Sequence, residues 1–274
     1  MKFFGLLLGL MFALAVSPNA EAQALKLDGH LMQGGMAWAK IEPGSSVRFL
    51  KHDVRVGPDG LFVVGFGRDF GAEARIEVTT PAGVKQSHII AIKKRSYKIQ
   101  RINGLPKKMV SPGPKALKRI RRENKLIAQA RAKDTAEPHF FRGFTWPAIG
   151  PISGVYGSQR VLNGEPRRPH FGVDVAMPVG TPVKAAAFGT VLMAARDLYY
   201  TGGTIIIDHG HGVTSLYMHM NSLTTKVGKT VVQGEQIGTI GKTGRATGPH
   251  LDWRINWFEQ KIDPQLLVPP MPEN

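Results

Sequence analysis

Between Leu25 and Lys98 the apolar residues come in short runs that alternate or cluster, VRF at 47–49, LFVVGF at 61–66 and RIEV at 75–78. Turn-forming stretches separate them: EPGSS at 42–46, GPDG at 57–60 and PAG at 81–83. Nothing there sustains a helical period, so the pattern predicts a small β domain, sandwich or barrel. The pattern changes in SPGPKALKRIRRENKLIAQARAK, residues 111–133, where Leu117, Ile120, Ile127 and Ala130 fall three and seven apart. They draw one apolar stripe along an otherwise basic helix, a stripe expected to pack on a domain. AKDTAEP, 132–138, reads as a linker. From about His139 the period-2 character returns with more glycine: TPVKAAA, GTVLMAA, TIIIDHG, VTSLYMH and QIGTIG are successive strand candidates, and no helix is predicted among them. The expected fold class is all-β, with an N-terminal β domain over 23–110, a basic helix and linker over 111–138 and a second β domain over 139–274.

The first residues add a destination. Lys2 precedes an apolar run from Phe3 to Val16, followed by small residues at Ala20 and Ala22, which is the pattern of a signal peptide over 1–22. The run is too short to span a bilayer, which takes about 20 residues, and no later segment is apolar for that length. An exported chain with no transmembrane segment after processing is expected. Zero cysteines exclude disulfides, a thiol nucleophile and a lipid-modified cysteine, so a metal site here must be built from His, Asp and Glu. The formal charge of +16 is concentrated: residues 93–133 hold fifteen Lys or Arg and a single acid, Glu123. The charged helix face suits an anionic polymer, while the export signal and the lack of interleaved aromatic residues argue against nucleic acid.

Candidate chemistry lies in the glycine-rich half. His30, His52 and His88 are scattered among turns and strand edges and read as surface or structural residues. PHFGVD, 169–174, reads as a strand with His170, Gly172 and Asp174 on one side, the glycine leaving room for an ion. In SLYMHMNSL, His219 follows Tyr217 by two and is expected on the same face. In GRATGPHLDWRI, 244–255, a glycine-rich loop delivers His250 and Asp252 to one face of another strand. Gathered around one point, these five residues would make a three-ligand metal site with an open position, as a catalytic zinc needs.

The segments HFGVDVAMPVGTPV, GTVLMAA, IIIDHGHGVTSLYMHM and VVQGEQIGTIGKTGRATGPHLDW resemble, in order and separation, the lysostaphin-type (LytM-type) zinc endopeptidases that cut peptide cross-links of bacterial peptidoglycan. The resemblance covers roughly residues 144–268. It implies an antiparallel β catalytic domain, one Zn2+ per chain, peptidoglycan stem peptides as substrate, and a periplasmic or cell-envelope location. His170 and Asp174 match the family's HxxxD and would be two zinc ligands. His219 matches the histidine of its YxH segment and His250 the first histidine of its HxH motif, both catalytic residues in the family. The third ligand is normally the second histidine of HxH, and here that position is Asp252. Carboxylate oxygen binds zinc at about 2.0 to 2.2 Å, much as imidazole does. A second carboxylate would nevertheless neutralise the ion's formal charge and weaken its pull on water, giving slower hydrolysis or a different preferred metal. The alternative is a catalytically silent domain that binds the wall or activates an amidase, and a third reading is a polyanion-binding protein working through its basic helix. Of the remaining residues, His209 and His211 read as structural or surface, Tyr217 as packing, and Trp253 and Trp257 as core or groove wall. Arg160, Arg167 and Arg168 read as solvated loop arginines, and Gly244 and Gly248 as loop-shaping.

Overall fold

The computed structural model describes residues 25–272, so the expected signal peptide lies outside the described residues. In the N-terminal part, Met36–Lys40 pairs antiparallel with Leu61–Gly65 and, on its other edge, with Asp28–Gly29. A second sheet runs in the order His52–Val54, Ser46–Phe49, Glu73–Thr79, Lys85–Ala91. The alternation that predicted these strands is physical: in EARIEVT, Ala74, Ile76 and Val78 are buried and the residues between them exposed. The GPDG turn requires its last glycine, since Gly60 has φ +81° and a Cβ there would overlap the carbonyl of Ile41.

The C-terminal part is one large antiparallel sheet. Its main path is Thr230–Val231, Gly189–Leu198, Gly202–Asp208, Val213–Leu223, Leu251–Trp257, Val173–Val175, Ile152–Gly154. Val173, Val175, Trp253, Ile255 and Trp257 point from its inner face into an apolar cluster that also contains Met36, Phe49, Phe62 and Phe66. The contact is close: the Phe49 and Trp257 ring centroids are 5.6 Å apart, and Gly65 lies where a Cβ would be 2.7 Å from Cβ of Trp257. The strands of both halves therefore bury their apolar faces against each other. Truncating an aromatic side chain at such a fully buried position costs on the order of 3–5 kcal/mol. Trp253 and Trp257 belong to this core and not to a groove wall.

The outer face of the large sheet carries the polar residues of interest and, beside them, the helix Pro114–Arg131. Ala130 and Ile127 pack on Ile206 and Leu216, and Ile120 is also buried. Leu117, the first residue of the predicted stripe, stays exposed. That half of the helix is held by polar contacts instead: Glu123 turns inward, accepting from Nε of Arg119 at 2.6 Å and from the backbone N–H of Tyr199 at 2.8 Å. Ahead of the helix, Ile99–Ile102 pairs in parallel with Gln159–Leu162, and Leu105, Val110 and Leu162 form a small apolar cluster. No helix among the described residues is long and apolar enough to cross a membrane. Among the described residues past His139 the only helical pieces are the short 3-10 turns His139–Arg142 and Pro264–Leu266, so the described fold is all-β with a single long helix.

Candidate metal centre

Asp174 and Asp252 face each other as cross-strand partners on Val173–Val175 and Leu251–Trp257. Their neighbours Val173, Val175 and Trp253 are core residues, so period-2 alternation sends both carboxylates to the outer face. His170 joins them from outside the strand. The strand begins only at Val173, which corrects the expectation that PHFGVD is one continuous strand. The preceding segment is held extended by two bonds, Gly157 N–H to the His170 carbonyl and His170 N–H to the Ser158 carbonyl, both 2.8 Å.

One ligand atom from each of His170, Asp174 and Asp252 lies within 4.8 Å of the others, and all three residues are buried. Nε2 of His170 is 3.1 Å from Oδ1 of Asp174, and Nδ1 is 3.9 Å from Oδ2 of Asp252. Neither imidazole nitrogen and not Oδ1 of Asp174 has a hydrogen-bond partner among the described residues. Leaving buried polar atoms unpaired costs roughly 1–3 kcal/mol each, so a set of three converging on one point fits a cation that would satisfy them together. Nitrogen and oxygen donors of this kind suit zinc.

Two arginines complete the carboxylates. Nη2 of Arg160 donates to Oδ2 of Asp174 at 2.6 Å, which makes Arg160 part of the site and not the solvated loop residue expected. Arg254 forks onto Asp252, Nε to Oδ1 at 2.9 Å and Nη2 to Oδ2 at 2.6 Å. Burial alone would raise the Asp252 carboxyl, yet Arg254 and His170 outweigh it and hold the group well below the usual carboxylate range. Burial likewise opposes ionisation of Asp174, and its neighbours His170 and Arg160 bring its carboxyl below the ordinary value. The space around Gly172 is not left for an ion. A Cβ there would meet Cγ of Arg254 and Oδ1 of Asp252, so the glycine seats the Asp252–Arg254 pair. Gly154 does the same for Asp174, whose carboxylate fills the place of the missing Cβ.

His219 and His250 stand beside this set, their ring centroids 4.7 Å apart. His219 does not continue the face of Tyr217. Tyr217 is in the core, and the register between Val213–Leu223 and Gly202–Asp208 slips next to His219, whose φ is +62°. That β-bulge turns the imidazole outward, the re-aiming that bulges perform beside functional sites. Nδ1 of His219 lies 2.8 Å from the Thr243 carbonyl and Nδ1 of His250 2.9 Å from the Gly248 carbonyl. A carbonyl only accepts, so each Nδ1 carries a proton, which on an uncharged ring leaves the lone pair on Nε2. Nε2 of His250 is 3.9 Å from Oδ1 of Asp174. Burial, with His250 nearby, pushes His219 down to about 4, so its ring is uncharged at neutral pH.

His209 and His211 lie apart from the centre and are buried. His209 bonds the Phe188 carbonyl and Oγ of Ser215, and His211 the Ala136 carbonyl, which is the structural role. Arg254 is the residue that sequence reading passed over, although it stands two positions after Asp252 and period 2 alone places both on one face.

A buried His–Asp–Asp set on the outer face of an antiparallel sheet, with two histidines at its edge, has donor chemistry that suits a metal ion. Residues 168–264 match the model of Peptidase family M23. The chain is 40% identical over 102 residues to the peptidoglycan DD-endopeptidase ShyA of Vibrio cholerae, covering 34% of this chain and 24% of that one. It is 41% identical over 106 residues to the DD-carboxypeptidase/endopeptidase Mpg of Neisseria meningitidis, covering 39% and 24%. The chain thus spans about a quarter of the length of these relatives. The likeness is broader to the crystal structure of a peptidase M23 from Pseudomonas aeruginosa, 27% identical with a TM-score of 0.69, over 86% of this chain and 94% of that one.

Proposed function

We propose that this chain is an exported zinc metalloendopeptidase hydrolysing peptide cross-links of bacterial peptidoglycan, with His170, Asp174 and Asp252 as ligands of one Zn2+ and His219 and His250 as catalytic residues. The observation that carries the reading is the convergence of buried, unpartnered donor atoms from His170 and Asp174 on Asp252. The substrate class is supported by the names of the two relatives above. A zinc ion held there supplies Lewis acidity towards carbonyl and water oxygens. His219, uncharged and with its Nε2 lone pair free, takes a proton from the attacking water as that oxygen bonds to the scissile carbonyl carbon. A ring that has gained a proton becomes a donor, so the histidine pair steadies the developing oxyanion and returns the proton to the leaving amine. The Thr243 and Gly248 carbonyls hold the two rings in the tautomer this requires.

A second reading, a silent domain that binds the wall or activates an amidase, draws support from Arg254, which engages both oxygens of Asp252. Metal content of the purified chain and of Asp252→Ala, with release of peptides from purified peptidoglycan, separates the two. About one zinc per wild-type chain, lost in the variant together with cleavage, is expected. A wild-type chain that holds no zinc and cuts no cross-link when zinc is supplied would leave the silent domain standing.

A further inference from the structure

Asp174 and Asp252 are not held alike. Arg160 takes only one oxygen of Asp174 and leaves Oδ1 unpartnered towards His170, whereas Arg254 occupies both oxygens of Asp252. Arg254 has no other carboxylate partner among the described residues, and its aliphatic stem is seated over Gly172. The pair is thus a buried carboxylate and a partly exposed guanidinium, one negative and one positive group on adjacent outward positions of a single strand.

Resting on the zinc reading above, we propose that Asp252 and Arg254 serve together as one electrically neutral ligand, Arg254 being the positioning residue that offsets the charge a carboxylate brings to the third ligand place. The formal charge of the pair equals that of a neutral imidazole at 252 beside an uncharged residue at 254. A lone carboxylate would cancel more of a divalent ion's charge. The guanidinium removes that difference and fixes the carboxylate plane through two parallel bonds. The expectation that HLD must act as a charge-poor version of HLH therefore does not follow, because the residue two positions on restores the balance.

The test is the zinc dissociation constant of the full chain, measured by competition with a chromogenic chelator, for wild type and four variants. The charge of the pair sets the expected order. R254Q, which leaves the carboxylate unbalanced, binds zinc at least about tenfold tighter than wild type, since removing a nearby cation strengthens the attraction. D252H, which leaves the guanidinium unbalanced, binds at least about tenfold weaker by the same argument. The double variant D252H/R254Q and the charge-keeping R254K both stay within about threefold of wild type, far inside the tenfold steps that separate the charge classes. R254Q and R254K preserve the bulk of the side chain, so those two decide the matter even where D252H fails to fold. Zinc binding by wild type in an order that ignores charge, with R254K as altered as R254Q, overturns the neutral-pair proposal and leaves the zinc reading intact. Zinc binding by neither wild type nor any variant overturns both.

Discussion

His219 shows how one residue's backbone serves the site. Its φ of +62° lies in the left-handed region, where an L side chain costs roughly 1–2 kcal/mol over glycine. The site retains the strain because the bulge is what carries the imidazole from the core side of the strand to the outer face. His219→Gly and His219→Ala are both expected to abolish peptide release. The glycine variant should nevertheless be about 1 kcal/mol the more stable of the two in urea unfolding. Equal stabilities would mean that the surrounding strands do not impose the bulge. At this scale the proposed ligands His170, Asp174 and Asp252 were legible because each sits in a short motif of fixed spacing. Arg160 was not, since it reaches Asp174 across fourteen positions and nothing local marks it.

Among the elements, the helix Pro114–Arg131 is the one whose sequence pattern and packing differ most. It has no side-chain cap at its N-terminus, and it carries seven Lys or Arg against the single acid Glu123. What fixes its first half is Glu123, the single acid of the 93–133 segment, buried between Arg119 and the backbone of Tyr199. Glu123→Ala would strand the Tyr199 N–H without a partner, so a loss of about 2 kcal/mol is expected. Arg119→Ala removes a side chain over a third exposed and should cost less than about 1 kcal/mol. Equilibrium urea unfolding of both variants checks the difference, and equal losses would show that the ion pair and not the backbone contact holds the helix. Helical periodicity revealed the stripe but not which end of it meets the sheet. Leu117 and Ala130 stand thirteen positions apart, about 140° around the helix at 3.6 residues per turn, so the two ends of the stripe do not face the same surface.

For the whole molecule, burial of histidines couples the fold to pH. His209 is fully enclosed, and desolvation pushes it down to about 4 from an ordinary 6.5. Burial lowers His211 in the same direction. A histidine whose pKa is depressed on folding binds its proton more readily in the unfolded chain. Its contribution is therefore complete above pH 6.5 and is lost as pH falls towards 4. The full loss for His209 alone is roughly 3 to 4 kcal/mol, from a fall of about 2.5 in pKa at about 1.4 kcal/mol for each. Unfolding midpoints in urea, measured with chelator between pH 7 and 4.5, should fall more steeply for wild type than for His209→Gln. Parallel curves would place the acid sensitivity elsewhere.

By itself the sequence determined the β character of both halves, the turns between strands and the identities of the converging His and Asp residues. These follow from period-2 alternation, from glycines where the backbone must turn, and from motifs a few residues long, all of which act locally along the chain. Only the tertiary structure decided that the two β parts share one core through Phe49, Gly65 and Trp257, that a bulge aims His219, and that Arg160 and Arg254 balance the two carboxylates. Most of these depend on residues distant in sequence meeting in space. Even the Asp252–Arg254 pair, adjacent on one face, gains its meaning from burial, because it is the removal of water that makes each unpaired charge costly and each pairing specific.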